Sequence, residues 1–257
     1  MGAADDDKAG FIAFLDRWNS EQGLTSPALH TDMAGWLESR WRAGSKELLL
    51  LAFRDSGKST LIGLFCAWLL YLDANRRVMV LAADTHLAKK MVRTVKRIVE
   101  RHPLCQGMKP AKPELWGAEE FAISRDKVGR DPSMVAKGIT ANVTGSHADI
   151  VVCDDVEVPN TCGTAEKRQE LRQRLGEIAY VLSPGGTQLY IGTPHSFQSI
   201  YSRRACAEEG EDAPFLDGFE RLERPILTET GASAWPERFT PASIERIRKR
   251  SSANKFA

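Results

Sequence analysis

A chain of 257 residues, 42% hydrophobic and 27% charged, can bury one large core with at most a small appended subdomain. Its 35 basic and 34 acidic residues leave a net charge of +1, which excludes disorder driven by charge excess. Any nucleic-acid contact must therefore come from local patches rather than bulk charge. The five cysteines and five histidines show no C-x-x-C or H-x-x-x-H spacing, so a disulfide framework or a structural metal site is not expected, and free thiols in a reducing cytosol are.

The opening "MGAADDDKAG" is acidic and lacks the apolar stretch of a signal peptide. Residue six is Asp6, where myristoylation needs Ser or Thr. From Ala9 to about Ala43 the apolar residues recur at helical spacing: Phe11, Phe14, Leu15 and Trp18, then Met33, Trp36, Leu37 and Trp41 after a turn at "TSP". "ELLLLAF" is a continuous apolar run, as in a strand covered on both faces. "RDSGKST" follows and opens a long apolar helix; its run Leu61 to Leu72 is too short for a bilayer core of about 30 Å. No membrane association is expected.

"RRVMVLAAD" reads as a second buried strand, with Asp84 or Thr85 able to cap the next helix. That helix has an inner stripe of Leu87, Met91, Val95, Ile98 and Val99 and ends at His102-Pro103. A strand pair is expected at "EEFAIS" and "MVAKGIT". "ADIVVCDDV" is the most strand-like segment, and a charged helix, "TAEKRQELRQRLGEIAYVL", follows it. "SPGG" reads as a turn and "TQLYIGTP" as a strand running into a loop. Strands alternating with helices imply an α/β fold with a mostly parallel central sheet. Acidic, turn-rich stretches near 205–235 mark a softer boundary before the basic helix of "WPERFTPASIERIRKRSS". The organisation expected is an N-terminal helical segment packed on the core (1–43), an α/β core (44–204) and a lid or linker (205–257).

Three motifs carry chemistry. The P-loop (Walker A) pattern G-x-x-x-x-G-K-[ST] has Ala52 in place of its first glycine, yet Gly57, Lys58 and Ser59 are in position. A strand running into such a turn and then a helix brings loop N–H groups and a helix N-terminus onto phosphate. Arg54, Asp55, Ser56, Gly57, Lys58, Ser59 and Thr60 are the candidate nucleotide-binding residues, with Lys58 for the β- and γ-phosphates and Ser59 for Mg²⁺. Arg54 adds a fixed cationic fork near the γ-phosphate, where it would assist catalysis. In "ADIVVCDDVE", a Walker B pattern, Asp154 is expected to hold Mg²⁺ from a strand adjacent to the P-loop. Asp155 and Glu157 are the alternative carboxylates for activating water. In "YIGTPHS", Gly192, Thr193 and Pro194 put a hydroxyl at the carboxyl edge of the sheet, where it can sense the γ-phosphate.

The ordered set "AFRDSGKST", "RVMVLAADTHLAKKM", "RDPSMVAKGI", "TGSHADIVVCDDVE", "GGTQLYIGTP" and "WPERFTPASIERI" resembles the N-terminal ATPase domain of large terminase subunits, the DNA-packaging motors of tailed bacteriophages. The resemblance spans roughly residues 28–257. It implies a P-loop NTPase of RecA-like (ASCE) type with a small C-terminal lid, and ATP and Mg²⁺ as cofactors. It implies Gly192, Thr193 and Pro194 as a coupling motif linking hydrolysis to DNA movement. In that family the P-loop often lacks its first glycine and carries an internal basic residue, as here.

By the same resemblance the partners are double-stranded DNA, a portal protein, a small terminase subunit and further copies forming a ring, in the cytoplasm of an infected bacterial host. The arginine many relatives carry before the second acidic motif is replaced: Thr144 stands at one such position and His147 at another. Arg125 and Arg130 are what remains for an arginine finger acting between subunits. These residues carry no counterpart of the C-terminal nuclease domain usual in the family, so cutting of DNA is not expected from them. A helicase-like ATPase and a non-hydrolysing nucleotide-binding scaffold are the alternatives. "KKMVRTVKRIVER", "EKRQELRQR" and "RIRKR" suit either DNA phosphate or solvent, and His30 and Trp36 suit either the adenine or the core.

Overall fold

The computed structural model describes residues 8–125, 129–143, 145–195 and 197–250. Thr144 and the terminal stretches 1–7 and 251–257 lie outside them. Two helices open the fold, α1 (Phe11–Ser20) and α2 (Ala28–Arg42). The strand β1 (Glu47–Ala52) then runs into α3 (Lys58–Leu72), β2 (Val78–Ala82) and α4 (Thr85–Arg101). Strands β3 (Glu120–Phe121), β4 (Met134–Gly138) and β5 (Ala148–Asp154) follow, then α5 (Pro159–Cys162) and α6 (Ala165–Gly176). β6 (Leu182–Gly192), β7 (Glu220–Arg224) and α7 (Pro241–Arg250) complete it.

Among the described residues the strands form one seven-stranded sheet in the order β3-β4-β2-β5-β6-β1-β7. Every pairing is parallel except β3 with β4. The alternation of strand side chains divides the core in two. Leu48, Leu50 and Ala52 of β1 face a layer built from α1, α2, α3 and α4. Leu49 and Leu51 face the opposite layer, which includes Leu171 and Leu175 of α6. Both faces are covered, which is why β2 and the middles of β1 and β5 are continuous apolar runs rather than alternating. Asp84 caps α4, accepting from the Leu87 N–H at 2.8 Å. Aromatic rings seal the first layer: Phe11 sits against Phe65 and Trp68, and the Trp68 indole donates to the Ala9 carbonyl at 2.9 Å.

Four expectations are corrected. The strand carrying Asp154 is not adjacent to the P-loop strand: β6 lies between β1 and β5, because a run of apolar residues carries no information about strand order. "SPGG" is not a separate turn but lies within β6, where Gly185 takes φ +74° and the register against β5 slips between Ala148 and Ile150. Residues 220–224, inside the segment read as lid, pair with β1 and so belong to the core sheet. Finally, the acidic stretch near 205–212 is no bare linker. Glu209 and Glu211 are drawn onto α6 by Arg168 and Arg172 at 2.6 and 2.5 Å, which covers both arginines. No helix among the described residues is long and apolar enough to cross a membrane.

Candidate nucleotide site

At the carboxyl ends of β1, β5 and β6 the motifs converge on a cavity of about 530 Å³, where open parallel sheets bind their ligands. Its walls include Arg54, Asp55, Gly57, Lys58, Ser59, Thr60, Asp155, Thr193 and His195. The turn out of β1 is built with two left-handed residues, Asp55 (φ 62°) and Gly57 (φ 81°). Gly57 is needed there twice over. Its φ suits glycine, and a Cβ at this position would stand 2.6 Å from the His30 Nε2. The His30 ring donates to the Ser56 carbonyl at 2.7 Å. Burial holds this imidazole below its ordinary range, opposed by that bond to Ser56. His30 thus braces the loop from α2, while Trp36 packs on the core.

Lys58 is the hub. Although 7% exposed, its ammonium lies 3.1 Å from the Thr193 hydroxyl and 3.8 Å from an Asp155 oxygen. Thr193 in turn donates to the Ala52 carbonyl at 2.9 Å, tying the end of β6 to the start of the P-loop. Ser59 donates to Asp154 Oδ1 at 3.2 Å. Burial pushes the Asp154 carboxyl up to about 7, the neighbouring Asp155 charge adding to the effect against the Ser59 bond and Lys58. A desolvated carboxylate beside a hydroxyl is an oxygen donor pair that a hard divalent cation suits, and Mg²⁺ takes few protein ligands besides phosphate and water. The residues present therefore fit Mg-nucleotide.

Asp155 and Glu157 are separated by the fold. Asp155 lies half-buried on the cavity wall with φ 46°, a left-handed conformation that Asp tolerates. Glu157 is 1% exposed and faces away from the cavity, accepting from the backbone N–H of His195 at 3.2 Å and of Ile200 at 2.8 Å. Ser56 is buried and does not line the cavity. Gly192 closes β6, its Cα backed by the Tyr201 ring, and Pro194 is exposed beyond it. Arg125 and Arg130 are not brought to this cavity. Both line a separate one beside β3, and Arg125 donates to the Asp131 carbonyl at 2.7 Å. His195, missed as a site residue, stands on the cavity wall with its ring near Arg54 Nη2. Its only sequence signal was its place directly after Gly192-Thr193-Pro194.

No family model matches the chain. Over 197 residues, 76% of its length, it is 30% identical to the terminase large subunit of Enterobacteria phage T3, covering 33% of that protein. It thus spans about a third of the length of the curated relative it matches. Its fold is similar to that of the HK97 bacteriophage large terminase, with a TM-score of 0.54 at 13% identity, over 100% of this chain and 49% of that one. A variant of the Thermus phage P74-26 large terminase ATPase domain gives 0.53 at 16% identity, over 94% of this chain and 95% of that one. In sequence the chain resembles a bacteriophage terminase large subunit, and in fold the α/β architecture of bacteriophage large terminases, one of those structures being an ATPase domain by itself.

Proposed function

From that likeness and the geometry of the cavity we propose that the chain hydrolyses Mg-ATP as the motor domain of a viral DNA-packaging terminase, driving double-stranded DNA into a procapsid. The observation that carries the proposal is the position of Lys58, within reach of both Thr193 and Asp155 on one cavity wall. An ammonium gathered there between two strand ends is set to receive phosphate oxygens, and the N-terminus of α3 points at the same space. Ser59 and Asp154 would hold Mg²⁺, which supplies charge neutralisation on the phosphates when bound.

Asp155 orients the attacking water and takes its proton, since its carboxylate faces the cavity while both oxygens of Glu157 are committed to backbone N–H groups. Arg54, exposed on the same wall, stabilises the charge that develops on the transferred group. Arg125 or Arg130 serves only if a neighbouring copy brings its cavity against this one. Thr193 transmits the state of the site, because its hydroxyl touches both Lys58 and the Ala52 carbonyl. In the assembled motor the chain acts as a ring on a portal protein, with a small terminase subunit delivering DNA, in the cytoplasm of an infected bacterium.

The test is phosphate release from Mg-ATP against protein concentration for wild type, Lys58→Ala and Asp155→Asn. Turnover is expected in wild type alone, with Asp155→Asn still binding ATP. Wild type as silent as Lys58→Ala at every concentration would leave a nucleotide-binding scaffold and overturn the hydrolytic reading.

A further inference from the structure

Glu157 and His195 stand near the ends of the second and third motifs, and the structure joins them at the edge of the cavity. We propose that His195 contacts the terminal phosphate of a bound nucleoside triphosphate and that Glu157 positions it, an inference that rests on the nucleotide reading above. His195 lines the same cavity as the P-loop. Arg54 Nη2 lies 3.4 Å from its Nδ1 and 3.5 Å from its Nε2. A guanidinium carries only donors, and its nitrogen stands almost equidistant from both ring nitrogens, so the two side chains lie side by side. Two donor-bearing side chains held side by side on the wall of a cavity that already holds Lys58 make a fork for an anion, and a phosphate oxygen accepts from both.

The backbone shows how the ring is placed. One Glu157 oxygen accepts the His195 N–H, the other the Ile200 N–H, and the carboxylate is buried. The chain is therefore pinned at positions 195 and 200 to the turn that follows β5. Two residues before His195, Thr193 is bonded to Lys58 and to Ala52. A contact made or lost at His195 is thus delivered to a segment held to the second acidic motif on one side and to the P-loop on the other. On this view the acidic residue of "DDVE" that looks like a second base is a backbone anchor, and the histidine it anchors distinguishes triphosphate from diphosphate.

The experiment is calorimetric titration of a non-hydrolysable ATP analogue and of ADP, each with Mg²⁺. The proteins are wild type, Lys58→Ala, His195→Ala, His195→Gln, Glu157→Gln and the Glu157→Gln/His195→Ala pair. His195→Ala is expected to weaken the triphosphate analogue by about tenfold, the scale of one charged hydrogen bond, and to leave ADP within about twofold. His195→Gln, which keeps a donor, recovers part of that loss. Glu157→Gln lowers the triphosphate-to-diphosphate ratio in the same sense, and the pair is no worse than His195→Ala alone, because the two act as a unit. Equal weakening of both nucleotides in His195→Ala would mean a structural role and overturn the proposal. So would an unchanged ratio while Lys58→Ala still abolishes binding, which leaves the nucleotide site standing. Wild type binding neither nucleotide would remove the site and the inference together.

Discussion

Glu157→Ala separates an anchoring role from a chemical one. The carboxylate is 1% exposed and satisfies two backbone N–H groups, those of His195 and Ile200. Truncation leaves both donors without their acceptor, at about 1–3 kcal/mol each. A loss of about 2–6 kcal/mol follows, a large part of the 5–15 kcal/mol that typically holds a domain together. Asp155→Asn is the counterpart. Asp155 is only half-buried, and its left-handed φ of 46° is one that Asn also adopts. Its effect on stability should stay within about 0.5 kcal/mol while turnover is lost. Urea unfolding of the two variants and wild type, with phosphate release measured on the same preparations, gives both quantities. A Glu157→Ala protein as stable as wild type would refute the anchoring argument, and so would an Asp155→Asn protein that unfolds more readily than Glu157→Ala.

Two further predictions come from other parts of the structure. Gly57→Ala should cost about 1–3 kcal/mol of stability, since it combines a φ of 81° with a Cβ 2.6 Å from the His30 ring; adding His30→Ala should return the steric part but not the conformational part, as read by unfolding of the single and double variants. At the opposite end of the sheet Arg77 grips Asp149 with Nη2 at 2.7 Å, Nε at 3.1 Å and its own N–H at 2.9 Å. Burial alone would raise the Asp149 carboxyl, but the Arg77 bonds outweigh it and hold it below the usual range. A folded pKa below the unfolded value of about 3.9 gives stability that is present above that pH and lost as pH falls through the folded pKa. The stability difference between wild type and Asp149→Asn, followed by unfolding from pH 7 downward, should therefore narrow below about pH 4.

The parts legible in the sequence were those written in local pattern. Continuous apolar runs gave β1, β2 and β5, helical spacing gave α1 to α4, and "GKST" after a strand gave the loop that Gly57 and Lys58 now form. What stayed hidden depended on partners far along the chain. β7 is five residues of "ERLER", four of them charged, and it is a strand because β1 offers it an open edge. Arg168 and Arg172 read as a solvated basic face until Glu209 and Glu211, some forty residues on, cover them. Glu157 stood two residues from Asp155 and looked equivalent; the turn after Asp154, with Asp155 in the left-handed region, sends the two side chains to different places.

The interposition of β6 between β1 and β5 decides what the segment leaving β6 can touch. Were the Asp154 strand directly beside β1, the two phosphate-facing motifs would meet with nothing between them. With β6 in the gap, its register pairs Leu51 with Gly192 on one side and Asp154 with Ile191 on the other. Thr193 therefore emerges at the same level as both motifs. Its hydroxyl reaches Lys58 and the Ala52 carbonyl without any distortion of the strand. Two residues later His195 is caught by Glu157, which hangs from the turn after β5. The segment leaving β6 is thus bonded to both neighbouring strands' loops, so a change of charge in the cavity alters the balance of contacts on it from two sides. A loop attached to only one of those strands would move with that strand; one bonded to both responds to the difference between them, as the proposed coupling of phosphate loss to movement requires.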